Sequence, residues 1–363
     1  MEEINISEEK QSKKPNFLLR PFSRTTKIVL LILLIIFGLV FAWAIYVTPI
    51  ADSFNPFASR KGDQGELPTL NAVCPLNGSA AADDMVGNRP FGVMIENHPD
   101  ARPQSGLDKA DLVYEVVTEG GITRFLAFFG CQNPSQIGPV RSSRIYYLDW
   151  VSELKSFYAH AGGSPDSLAA IQQRGILDLN HATGYFWRST SRAAPHNLYT
   201  SLEKLKSYAQ SRHYDLNKAD FTLWKFKDDP EKSARPESKS VKINFSSASF
   251  LVSYSYNKET NNWSRSMAGK SHLDAATGKQ LKVKNIVVQY SQIVARSDGR
   301  VDVGNIGSGQ ALFFIDGIAL TGTWKKDSTS ARTIYADSNG REIEFSRGPI
   351  WIEVVKLGTV INY

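Results

Sequence analysis

Residues 28–47 carry no charged side chain and consist almost entirely of Leu, Ile, Val, Phe, Ala and Trp. They lack the polar position every three to four residues that marks a helix lying on a globular core. At 1.5 Å per residue the stretch spans about 30 Å, the thickness of a hydrocarbon core, so it predicts one transmembrane helix. From 48 to 86 the pattern dissolves into Pro, Gly, Ser, Asn and Ala without a period, as in a linker. Short apolar runs then begin, at 91–95, 112–117 and 123–129, each bounded by Gly, Asp or Pro, and these predict strands. Helices are expected at 144–154, at 166–174 with Gly175 past its end, and at 200–212, opening on a capping box of Thr200 and Glu203. Residues 87–220 therefore read as a mixed α/β domain.

A charged, proline-bearing run places an interdomain linker at 221–239. Beyond it, alternating or β-branched runs at 241–245, 250–256, 282–290, 311–315, 333–335, 342–345 and 350–355 are separated by Asn-Gly, Asp-Gly, Thr-Gly and Arg-Gly turns, predicting an all-β domain over 240–357. The expected fold class is α+β, a mixed α/β domain followed by an all-β one, after a single transmembrane helix.

Flanking charge orients that helix. Lys13, Lys14, Arg20, Arg24 and Lys27 precede it with no acid among them, whereas only Arg60 and Lys61, alongside Asp52, follow it. Residues 1–27 are thus read as a cytoplasmic tail and the chain after about residue 50 as extracytoplasmic, in a cell membrane crossed once. Trp43 and Tyr46 suit the outer headgroup zone, and the exit Ile-Tyr-Val-Thr-Pro offers no small-residue cleavage site. The lipid bilayer is accordingly the expected partner of residues 28–47. Of the net charge of +6, residues 1–27 hold six Lys/Arg against four Glu, or +2, which leaves +4 outside. That surplus is too small and dispersed for nucleic acid, and it suits work beside an anionic envelope. Cys74 and Cys131 both fall in a compartment that permits disulfides, where a bridge and two unpaired thiols remain alternatives. A bridge closing so long a loop is worth about 4 kcal/mol.

Polar and glycine-rich signals concentrate in a few loops, where function tends to reside. Arg141 and Arg144, three apart at an expected loop-to-helix junction, flank Ser142 and Ser143. With free helix N–H groups they form a candidate anion pocket for phosphate or carboxylate. The alternative is that both arginines pair with Glu115, Glu119 or Asp149. Arg124 completes a candidate charge clamp, and Glu119, His160 and His196 are the candidate acid/base groups. Glu96, Glu115 and Glu119 also admit a two-carboxylate glycan hydrolase, which needs two of them across a cleft. His98, His160 and His196 lack the spacing of a zinc helix motif, so no metal site is assigned. Neither a Gly-x-Ser-x-Gly turn, a P-loop nor a dinucleotide fingerprint occurs, and no cofactor is assigned.

The order Met-Ile-Glu-Asn-His-Pro (94–99), Ala-Asp-Leu-Val-Tyr-Glu (110–115), Glu-Gly-Gly-Ile-Thr-Arg (119–124), Gly-Pro-Val-Arg-Ser-Ser-Arg (138–144) and His-Ala-Gly-Gly-Ser-Pro (160–165) resembles the YerB-like family. The likeness continues through Phe186-Trp187-Arg188 and Ala194-Pro195-His196-Asn197-Leu198-Tyr199 into a β-rich part with Gly322-Thr323-Trp324. It implies a two-domain extracytoplasmic bacterial protein of uncharacterised activity. The chain departs from lipoprotein members in having no lipid-accepting cysteine near its apolar segment. A looser likeness of layout to LytR-CpsA-Psr envelope enzymes, in which arginines hold a lipid pyrophosphate, is associational. The expected ligand is an envelope glycan or lipid-linked pyrophosphate, and the rival reading is a non-catalytic interaction module of an envelope complex.

Overall fold

The computed structural model describes residues 23–47, 72–217, 221 and 224–363. The chain divides into two compact units, 1–67 and 68–363. In the first, helix α1 runs Arg24–Val47, and its side chains from 28 to 40 are apolar and exposed apart from Gly38. Among the described residues no helix is long and apolar enough to cross a membrane. The side chains of Lys27, Trp43 and Tyr46 lie outside the described residues, as do most of the tail at 1–27 and of the linker at 48–86.

The second unit is α+β. Its main elements are β1 (Phe91–Glu96), β2 (Leu112–Val117), β3 (Thr123–Phe129), α2 (Tyr147–Glu153), β4 (Phe157–His160), α3 (Pro165–Gln173), β5 (Leu177–Asn180), a short hairpin of β6 (Trp187–Arg188) and β7 (Leu198–Tyr199), and α4 (Leu202–Ser211). After them come β8 (Ser240–Asn244), β9 (Leu251–Asn257), β10 (Asn262–Met267), β11 (Asn285–Ala295), β12 (Gly307–Ile315), β13 (Ile318–Lys326), β14 (Ile334–Asp337) and β15 (Ile350–Lys356).

One large sheet runs β14-β13-β12-β11-β15-β2-β3-β1-β4-β5. Its central strand, β15, comes from near the C-terminus and pairs in parallel with β11 on one side and β2 on the other. The two halves of the sequence thus share a sheet. A second, smaller sheet is built around β10, β9 and β8. Burial of β1, β2 and β15 on both faces explains why they read as near-continuous apolar runs. Alternation sends Met94, Tyr114, Leu126 and Ile352 into one layer with Trp150 of α2 and Ile171 of α3. Val93, Val113, Phe125 and Trp351 pack in the opposite layer with Val252 and Trp263 of the smaller sheet and Leu205 of α4.

Local chemistry moved several expected boundaries. Helix α2 begins only at Tyr147, so 141–144 is an extended segment rather than a helix start. Ser201, not Thr200, caps α4 by accepting from the Lys204 N–H, because the Thr200 hydroxyl donates instead to the Tyr185 carbonyl. The run expected as one strand at 282–290 changes sheets: Lys282 and Val283 pair with β10, and β11 starts two residues later in the large sheet.

Candidate functional site

The end of β1 organises the site. Glu96 lies opposite Arg124 in the antiparallel register of β1 and β3, and alternation turns both toward the layer of α2. The segment at 137–144 then runs alongside β1: the Arg141 N–H donates to the Met94 carbonyl at 2.9 Å and the Glu96 N–H to that of Pro139 at 2.9 Å. Gly138 permits this approach. Its φ of +143° disfavours a side chain, and a Cβ there would stand 2.8 Å from the Leu198 carbonyl oxygen.

This path places Arg141 Nε 2.8 Å from Glu96 Oε1, and His196, from the loop between β6 and β7, contributes Nδ1 at 3.0 Å from the same oxygen. Both contacts are out of line for hydrogen bonds, so Arg141 Nε, His196 Nδ1 and Glu96 Oε2 are all buried without a hydrogen-bond partner among the described residues. The His98 ring stacks on His196 with centroids 4.7 Å apart. On the other side of Glu96, Glu119 accepts from Arg144 Nε and lies 3.4 Å from Arg124 Nη2. Arg124 and Arg144 donate further to the Ser142 and Ser143 carbonyls at 2.8 and 2.6 Å. Burial pushes the Glu119 carboxyl up, but the Arg144 hydrogen bond and the Arg124 charge outweigh it and hold the group below the usual carboxylate range.

The structure therefore brings Glu119, Arg124 and Arg144 into direct contact, and gathers Arg141 and His196 around Glu96 next to them. His160 is not part of this strip. It is fully buried, with Nδ1 2.7 Å from the Gly162 carbonyl and Nε2 2.9 Å from Asp178 Oδ1, so both ring nitrogens are engaged in holding the loop after β4. Ser143 is likewise buried, its hydroxyl bonded to Ser167 and Tyr158, while the Ser142 hydroxyl donates to the Ala161 carbonyl. The expected helix N–H groups are absent because α2 starts beyond Arg144. Cys74 and Cys131 are joined, with sulfurs 2.02 Å apart. Their neighbour Asp111 accepts from the Gly130 and Cys131 N–H groups, yet burial still raises its carboxyl to about 6.

Beneath the strip lies a second ionic cluster that the sequence did not disclose. Glu115 of β2 and Glu353 of β15 are register neighbours, and both face the smaller sheet, fully buried. Arg265 of β10, also fully buried, donates to Glu115, to the Tyr254 hydroxyl and to His272 Nδ1. His272 Nε2 faces Gln104 Oε1 at 2.8 Å, which assigns a neutral Nε2–H tautomer. Burial, with the charges of Arg265 and Arg102, keeps that ring well below the usual histidine range. Asn97, the residue after Glu96, joins the cluster by donating to Glu115 Oε1 at 3.1 Å and Thr123 Oγ1 at 2.6 Å. Glu115 is thus enclosed, with no path to a sugar ring, which removes it from the paired-carboxylate reading.

Comparison with known proteins matches residues 76–215 to the family described as "Protein of unknown function (DUF3048) N-terminal domain" and residues 241–352 to its C-terminal domain. The chain is 34% identical over 288 residues to "Putative lipoprotein YerB" of Bacillus subtilis (strain 168), covering 77% of this chain and 85% of that protein. It also resembles the crystal structure of YerB from Bacillus subtilis, with a TM-score of 0.73 and 31% identity over 80% of this chain and 100% of the other.

Proposed function

This chain belongs to the DUF3048 family, and on that premise we propose that it is an extracytoplasmic, membrane-attached envelope protein whose arginine rim binds an anionic envelope ligand, a glycan or a lipid pyrophosphate. The observation that carries the reading is a charge imbalance: Arg124, Arg141 and Arg144 stand against Glu96 and Glu119. The Arg141 side chain is 27% exposed, and among the described residues its Nη groups make no hydrogen bond. Guanidinium groups at a partly desolvated rim suit planar, two-point recognition of carboxylate or phosphate. Glu119, held ionised by two arginines, orients them and is poorly suited to donate a proton.

To test this, the full chain in detergent is titrated with a lipid-linked pyrophosphate glycan, peptidoglycan fragments and an unrelated polyanion, comparing wild type with Arg141→Ala. Saturable binding of one envelope ligand, weakened about tenfold or more in the variant, is the expected result. Equal weak binding to all three, insensitive to the substitution and lost in salt, would leave only surface electrostatics and end the reading.

Attachment is proposed to run through residues 28–47 with the N-terminus cytoplasmic, supported by the uncharged sequence and its flanking cations. The relative's name points to a lipid anchor, but the first cysteine here is Cys74, far beyond the apolar stretch and paired in the folded unit. Alkaline carbonate washing should leave the full chain in the membrane pellet, and its release into the supernatant would overturn the anchor.

A further inference from the structure

We propose that His98, Asp100 and His196 form a divalent transition-metal site, with Zn2+ as the ion their chemistry favours. One ring nitrogen of each histidine and one carboxylate oxygen of Asp100 lie within 4.8 Å of one another, although the two histidines are far apart in sequence. A tetrahedral ion with bonds of about 2.0–2.1 Å needs donors about 3.3 Å apart. Closing the remaining gap takes rotation of the Asp100 side chain, 72% exposed, and of His98, 33% exposed. His98 Nδ1 accepts from the Asp100 N–H at 3.2 Å, and so either gives up that bond or leaves Nε2 to face the ion.

The backbones that carry the ligands are already fixed. Arg102 Nε and Nη2 donate to Asn97 Oδ1 and its carbonyl at 3.0 and 2.9 Å, pinning the turn that holds His98 and Asp100. Arg192 donates to the Ala101 and Pro103 carbonyls at 2.6 Å each, tying that turn to the loop of His196. Asn197, beside His196, is held by Arg188 and by the Ser189 and Arg192 carbonyls.

A buried carboxylate stands behind one of the two histidines: Glu96 Oε1 lies 3.0 Å from His196 Nδ1 and 2.8 Å from Arg141 Nε. Glu96, with only 5% of its side chain exposed, aims at His196, and both Glu96 Oε2 and His196 Nδ1 are buried without a hydrogen bond among the described residues. Buried polar atoms of this kind are nearly always satisfied in a native protein. A carboxylate standing behind a metal-bound histidine is the usual support of such a ligand. Two imidazoles with a carboxylate select Zn2+ over Mg2+ and Ca2+, which prefer oxygen donors, and three protein ligands leave a fourth position open.

The test reads the ion directly and is independent of anion binding at Arg141. The full chain, stripped with a chelator, is titrated with Zn2+ against a chromophoric competitor. One Zn2+ per chain is expected, with Mg2+ and Ca2+ failing to displace it. Asp100→Asn, whose exposed side chain makes it safe for folding, and His98→Ala should each weaken binding about tenfold or more. His181→Ala, an exposed histidine outside the cluster, should leave it unchanged. Absence of a stoichiometric ion in the wild type, or full affinity in both Asp100→Asn and His98→Ala, would refute the site.

Discussion

Glu96 and Asn97 are adjacent in the chain but serve two ionic clusters of opposite character on opposite faces of the same sheet. Glu96 belongs to the rim, where Arg141, Arg144 and Glu119 keep 27%, 16% and 30% of their side chains exposed. Asn97 belongs to the enclosed cluster, where Arg265, Glu115 and Glu353 have 0%. The residue types are nearly the same, so exposure decides the role. In the enclosed cluster every charge has been stripped of water and depends on its neighbours, which makes it a clasp between β2, β15 and the smaller sheet. At the rim, water still competes for the guanidinium groups, so each pairing there contributes less.

The largest effect should come from breaking the clasp. Arg265→Ala leaves Glu115 buried without its cation and removes a guanidinium stacked 4.6 Å from the Trp351 ring. Loss of one partner from a buried pair costs about 3–5 kcal/mol. Arg144→Ala at the rim should cost about 1 kcal/mol or less, because Glu119 stays partly hydrated and keeps Arg124. Urea unfolding of the two variants measures both. Equal losses would mean that exposure does not separate the clusters as argued.

The same contrast explains what could be read in the sequence. The strands at 91–96, 112–117 and 123–129, the α+β class and the arginine-bearing loops were legible because apolar runs and glycine-rich turns signal themselves locally, whereas β4 and β5, four residues each, were overlooked. Leu-Val-Tyr-Glu-Val-Val at 112–117 and Ile-Trp-Ile-Glu-Val-Val at 350–355 each read as a strand with one odd carboxylate. Nothing local says that they lie side by side with Glu115 against Glu353, since that depends on a pairing across most of the chain. Strand β10 was overlooked for a related reason. In Asn-Trp-Ser-Arg-Ser-Met the buried positions are Trp263, Arg265 and Met267, and an arginine on the inward face conceals the alternation. At the rim, the loop identities were visible, but the pairing of Arg141 with Glu96 follows from the chain crossing beside β1, which no spacing encodes. His160 reads as a candidate acid/base group because only its Gly162 partner is local; Asp178, which engages the other ring nitrogen, arrives when β4 and β5 pair.

The smallest effects distinguish the clusters by pH. Burial, followed by the charge of Glu115, raises the Glu353 carboxyl well above its ordinary value, so the folded protein keeps a proton there that the unfolded chain releases near 4.5. Above that pH the unfolded state binds fewer protons, and this site's contribution to stability declines as pH rises toward the folded pKa. Glu353→Gln keeps the neutral shape, so the variant should match the wild type near pH 4.5 and gain on it steadily toward pH 8. For Glu119 the sign reverses: its lowered folded pKa gives stability that is present above the unfolded value and lost as pH falls through the folded one. Glu119→Gln should therefore lose stability relative to the wild type at neutral pH and converge with it in acid. Measured as denaturant midpoints across this range, the two difference curves should slope in opposite senses. Parallel curves would mean that Glu353 is ionised inside the protein, and the clasp would then hold two carboxylate charges against Arg265 rather than one.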